Sequence, residues 1–114
     1  MGRTAVIYAT GMTKNTKKVA EYIARQIGAD IFNLKEITMI NTTEYDTIVF
    51  GTGIHAGKPY KQLVEYIEKN KDSLVQKRLF LFIECMYNGE KGDAQRDAVA
   101  EQLGIQKAVY FNKK

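Results

Sequence analysis

The sequence predicts an α/β fold on a doubly wound, five-stranded parallel sheet, and three observations carry that prediction. Short apolar runs alternate along the chain with amphipathic runs at helical spacing. The apolar runs are hydrophobic on both faces, as in RLFLFIEC (78–85), which is how strands buried on both sides read. Glycines at 28 and 104 follow helical runs, where a helix has to stop. Strands of this kind alternating with helices imply a parallel sheet between helical layers, joined by right-handed crossovers.

Each element can be read in turn. Residues 4–9 (TAVIYA) are the first strand. Residues 16–27 form a helix whose apolar positions Val19, Ala20, Ile23, Ala24 and Ile27 recur at helical spacing. Residues 29–34 (ADIFNL) make a second strand, and 35–46 a short helical turn or a loop. Residues 46–53 (DTIVFGTG) are a third strand that ends in glycines. Pro59 suits the first turn of a second helix, where its missing N–H costs nothing. Tyr60, Leu63, Val64 and Ile67 form that helix's buried stripe. Residues 78–85 are a fourth strand. Residues 93–103 are a last helix with Ala94, Ala98, Val99 and Leu103 inward, and 107–112 (KAVYFN) a fifth strand. No repeat, low-complexity tract or linker interrupts this pattern, so residues 1–114 are read as a single domain.

Composition narrows the function classes. The 114 residues are 45% hydrophobic and 26% charged, which is ordinary for a globular domain with a modest core. No apolar run is long enough to span a bilayer and the N-terminus has no signal-like apolar segment, so no stable membrane insertion is expected. The single cysteine, Cys85, cannot pair within the chain, and a reducing, cytoplasmic setting is expected. One His and one Cys argue against a dedicated zinc or haem site. The net charge of +4 is spread over helix faces and the C-terminal lysines, so no nucleic-acid partner is expected.

In doubly wound sheets ligands sit beyond the carboxyl ends of the strands, where the winding reverses. That brings together residues 10–16, 51–58 and 85–92. The first of these loops, within YATGMTKNT (8–16), offers Thr10, Thr13, Asn15 and Thr16 beside Gly11, Met12 and Lys14. It precedes a helix whose first backbone N–H groups are unpaired and lie at the positive end of the helix dipole, a seat for phosphate. A helix cap alone would need one such side chain rather than several. A nucleotide P-loop would need Gly-x4-Gly-Lys-Ser/Thr, and a dinucleotide fingerprint Gly-x-Gly-x-x-Gly; neither string is present here. The loop also lacks the Cys of a thiol phosphatase, and the first and third strands end without the carboxylates of a phospho-acceptor. It reads as a loop that binds a phosphate and leaves it intact.

YATGMTKNTKKVAEYIA followed by YDTIVFGTGIHAGKPYKQLVEYIEKN resembles the flavodoxin family over nearly the whole chain. The segment GTGIHAGKP is similar to that family's Gly-Ser-x-Ile-Tyr-x-Gly-Lys-Pro pattern. The resemblance implies a flavodoxin-like sheet of strand order 2-1-3-4-5 and FMN as cofactor. Thr10, Gly11, Met12, Thr13, Lys14, Asn15 and Thr16 would contact its phosphate. Thr52, Gly53, Ile54, His55, Ala56 and Gly57 would border the isoalloxazine ring, with Cys85, Met86, Tyr87, Asn88 and Gly89 on its other side. Glycines 51, 53 and 57 would let backbone amides approach the ring, and Tyr87 would stack on it. His55 stands where an aromatic is usual: it either lies at the ring edge, where its charge would tune the potential, or is an exposed loop residue.

The phosphate loop is one residue longer than the family pattern, and the family's final helix, after the fifth strand, is missing. One face of the last two strands is therefore expected to lack a cover, which suggests a homodimer through that face or a fragment of a longer protein. The resemblance implies an electron carrier working with redox partner proteins or a quinone, with no catalytic residue of its own. The alternatives are a quinone-linked protoporphyrinogen dehydrogenase-type flavoenzyme and a non-redox phosphate-binding or interaction module. A +4 domain is also expected to penalise a reduced, anionic flavin less than the family's usual acidic surroundings do.

Overall fold

The apolar runs do assemble into a parallel sheet. The structure, a computed structural model, describes residues 3–11, 15–37, 39–55, 57–85 and 89–112. Its elements are β1 (Arg3–Tyr8), α1 (Asn15–Ile27), β2 (Asp30–Asn33), β3 (Tyr45–His55), β4 (Lys58–Pro59), α2 (Lys61–Lys69), α3 (Lys71–Leu74), β5 (Arg78–Cys85), α4 (Gly89–Leu103) and β6 (Lys107–Asn112). The strands lie in the order β2-β1-β3-β5-β6, and all four of these pairings are parallel. This is the expected winding, renumbered because the two-residue β4 folds back antiparallel on the end of β3.

From β1 the chain crosses to one edge of the sheet, and from β3 to the other, so the winding reverses between these neighbours. Two apolar layers follow. On one face Ala5, Ile7, Ile48, Phe50, Leu81 and Ile83 pack with Leu63 and Tyr66 of α2, Leu74 of α3, and Val99, Ala100 and Leu103 of α4. On the other face Val6, Tyr8 and Phe82 pack with Ala20 and Ala24 of α1. Each large side chain removed from water contributes about 1.5–3 kcal/mol, so the first, larger layer dominates the stability. The second layer ends early. Phe82 is covered, but on β6 Val109 and Phe111 remain 54% and 40% exposed.

Several expectations need correction. Pro59 does not open α2: it pairs with Ile54 in β4, and Tyr60 is the N-cap residue. The hairpin satisfies the backbone there, so Pro59 closes a turn instead of starting a helix. α4 begins at Gly89 instead of residue 93 and is rotated from the expected phase, with Gly92, Val99, Ala100 and Leu103 buried and Ala94 and Ala98 exposed. Gly92 sets that phase, because a β-carbon there would sit 2.7 Å from the Tyr110 ring on β6. In α2 the buried positions are Leu63 and Tyr66, with Val64 and Ile67 only half-buried. Ile27 is 51% exposed, at the helix end that Gly28 terminates with φ of 65°. The short α3 was not anticipated.

Candidate functional site

The site is built where the winding reverses. At the end of β1 the Ala9 N–H donates to the Gly51 carbonyl at 2.9 Å, which holds β1 and β3 together up to the mouth of the first loop. Thr10 is half-buried and Gly11 exposed there, and α1 starts at Asn15. Thr16, in the first turn of α1, is 0% exposed, and its Oγ1 has no hydrogen-bond partner among the described residues. The same turn carries no acidic residue. A buried hydroxyl without a partner costs free energy unless something supplies one. At the amino end of a helix, an anionic oxygen is the natural acceptor.

The end of β3 is shaped from within. The buried Thr52 Oγ1 donates to the Gly53 carbonyl at 2.8 Å and accepts from the Tyr60 N–H at 2.9 Å, so this hydroxyl fixes the turn. Ile54 and His55 pair with Pro59 and Lys58, making residues 54–59 a hairpin whose tip includes Gly57 with φ of 77°. His55 is exposed. The glycines have packing roles that sequence alone did not show. A β-carbon on Gly51 would run into the Phe82 ring, and one on Gly53 into the Tyr60 hydroxyl. One on Gly11 would sit 2.5 Å from that same hydroxyl. Gly51 therefore makes room for a core ring packed beneath it.

Two residues that sequence reading did not assign to the site stand at its centre. Tyr60, read as part of a helix stripe, puts its hydroxyl against both Gly11 and Gly53 and so joins the first loop to the second. Glu84 on β5 lies in register with Gly53 on β3 and Phe111 on β6. It is 3% exposed, and its Oε2 has no partner among the described residues. Burial first, and then the charge of Glu84, hold the Tyr60 hydroxyl above the ordinary tyrosine range. The signal for Glu84 was present: it is the sole acidic residue within RLFLFIEC, a strand otherwise apolar after Arg78.

The structure thus gathers Thr10, Gly11, Asn15 and Thr16 at one end of the site and Thr52, Gly53, Ile54, His55 and Gly57 at the other. Cys85 ends β5 and Gly89 opens α4 with φ of 60° beside them. Met12, Thr13, Lys14, Ala56, Met86, Tyr87 and Asn88 lie outside the described residues, as does the Cys85 side chain. Among the described residues no cluster of His, Cys, Asp and Glu could hold a metal ion. Among them, too, no helix is long and apolar enough to cross a membrane.

Comparison with known proteins agrees with this fold. The sequence model of a flavodoxin domain family matches residues 5–112. An uncharacterized protein of Methanocaldococcus jannaschii is 31% identical over 107 residues, 90% of this chain and 71% of that protein. Among solved structures, a WrbA-like flavodoxin from Agrobacterium tumefaciens superposes with a TM-score of 0.72 at 18% identity, covering 99% of this chain and 84% of that one. A flavoprotein from Lactobacillus acidophilus, solved in complex with FMN, gives 0.72 at 14% identity over 96% of this chain and 91% of its own. A flavodoxin from the domain Archaea gives 0.65 at 14% identity over 97% and 85%.

Proposed function

The chain belongs to the flavodoxin domain family, and from that premise we propose that it binds FMN at the carboxyl ends of β1, β3 and β5 and passes electrons between redox partners. The observation that carries this reading is the Thr16 hydroxyl, fully buried and unpartnered in an acid-free first turn of α1. A phosphate oxygen supplies what that hydroxyl lacks, and the unpaired N–H groups of the same turn add to the seat. The neighbouring FMN complex from Lactobacillus acidophilus supports the choice of flavin.

In this reading Thr10, Gly11, Met12, Thr13, Lys14, Asn15 and Thr16 hold the phosphate. Thr52, Gly53, Ile54, His55, Ala56 and Gly57 border one side of the ring, and Cys85, Met86, Tyr87, Asn88 and Gly89 the other. Bound FMN supplies the redox chemistry, accepting and releasing electrons at its ring. The chain's own contribution is position. Thr52 fixes the turn that carries the hairpin, Tyr60 ties the two loops together, and Phe82 beneath Gly51 makes the floor rigid.

The test is the visible spectrum of the purified protein with FMN added, followed by chemical reduction and mixing with a one-electron acceptor. A shifted flavin spectrum and electron passage to the acceptor are expected. A protein that leaves the spectrum of added FMN unchanged refutes the reading.

A further inference from the structure

We infer that Glu84 selects ligands that carry a hydroxylated linker between phosphate and ring, accepting a hydrogen bond from that linker through its Oε2. The inference rests on the flavin reading above and names a contact that reading does not contain. Its basis is the position and isolation of one side chain. Glu84 is 3% exposed and Oε2 has no partner, although an unpaired carboxylate oxygen is among the costliest groups to bury. Its cross-strand neighbours Gly53 and Phe111 bring no side-chain donor. A fold that needed only a strand here would be served by the apolar residues found along the rest of β5.

Position then narrows the donor. One end of the site is the first turn of α1 with Thr16, and the other is the hairpin of residues 54–59 with the start of α4. Glu84 sits between them, level with Gly53, whose β-carbon position abuts the same Tyr60 hydroxyl that abuts Gly11. The charge of Glu84 also reaches Tyr60. A carboxylate oxygen accepts and cannot attract a second anion, so its partner is not the phosphate. Midway along a flavin nucleotide the available donors are the hydroxyls of the ribityl chain.

Riboflavin carries those hydroxyls without a phosphate, and lumiflavin carries the ring alone. Fluorescence titrations of FMN, riboflavin and lumiflavin against the wild-type protein, Glu84→Gln and Glu84→Leu test the inference. Thermal melts of each protein serve as a control for folding. Glu84→Leu is expected to weaken FMN and riboflavin about tenfold or more, as for loss of a charged hydrogen bond, and to leave lumiflavin unchanged. Glu84→Gln, which keeps an accepting oxygen, is expected to lose less, so it tests the same contact should the leucine variant not fold. The leucine variant's melting temperature is expected to hold or rise, because a buried unpaired carboxylate is gone. Unchanged riboflavin affinity in both variants overturns the inference, and so does an equal loss for lumiflavin. A wild-type protein that binds none of the three overturns the flavin reading and this inference together.

Discussion

The two ends of the sheet treat their polar groups in opposite ways. At the amino ends of the strands, polar side chains find partners within the chain. Tyr45 Oη donates to Asp30 Oδ2 at 2.6 Å, Arg3 pairs with the same carboxylate at 2.5 Å, and Lys77 Nζ donates to the carbonyls of Thr42 and Tyr45 at 2.8 and 2.6 Å. At the carboxyl ends Thr16 Oγ1 and Glu84 Oε2 are buried with no partner among the described residues. A third such atom, Tyr66 Oη, lies apart from both, under α2, with its ring 6.2 Å from that of Phe50. Buried polar groups are nearly always paired, so a concentration of unpaired ones marks where something else belongs. One end of the sheet is a clamp and the other a socket.

If that contrast is right, substitutions at the two ends separate binding from stability. The largest effect is expected at the socket. Thr16→Val keeps the shape but removes the donor, and should weaken FMN about 10- to 100-fold in a fluorescence titration while the melting temperature holds. Thr16→Ser should retain most of the affinity, and equal losses in both would remove the hydroxyl from the account. At the clamp the pattern reverses. Lys77→Met frees two carbonyls from a cationic donor and should lower unfolding free energy by about 1.5–3 kcal/mol in urea titrations, with FMN affinity unchanged.

A smaller effect comes from pH. Tyr8, Tyr60 and Tyr66 are held above the ordinary tyrosine value of 10.0, in each case chiefly by burial. Each keeps its proton when folded at a pH where the unfolded chain has lost it. Stability is therefore full below pH 10 and falls as pH rises above it, which alkaline thermal melts would show. A flat profile there would contradict the burial of these hydroxyls. The smallest effect is expected at His55, whose side chain is exposed on the hairpin: His55→Ala should change unfolding free energy by less than about 0.5 kcal/mol in urea titrations.

The clamp and the socket were not equally legible in the sequence. Periodicity showed the alternation of strands and helices, and the hydroxyl-rich loop pointed to the end of β1, because both signals are local. What escaped depended on contacts between distant residues. The clamp joins Arg3, Asp30, Thr42, Tyr45 and Lys77 from four separate segments, and no local pattern announces it. Tyr60 looked like one more apolar position at helical spacing until its hydroxyl was seen against Gly11 and Gly53. Gly51 reads as a glycine beside a ligand, and nothing local announces that it also makes room for the Phe82 ring. The phase of α4 was misread because Gly92, with no side chain to count, is what lets the helix approach Tyr110.

What decides whether the socket holds a flavin by its phosphate is the ratio of two affinities, FMN and riboflavin, measured on the wild-type protein by calorimetry. The two ligands differ only in the group assigned to Thr16 and the first turn of α1. FMN should bind at least about tenfold more tightly than riboflavin. Equal affinities, or no heat with either, would contradict the account at its foundation.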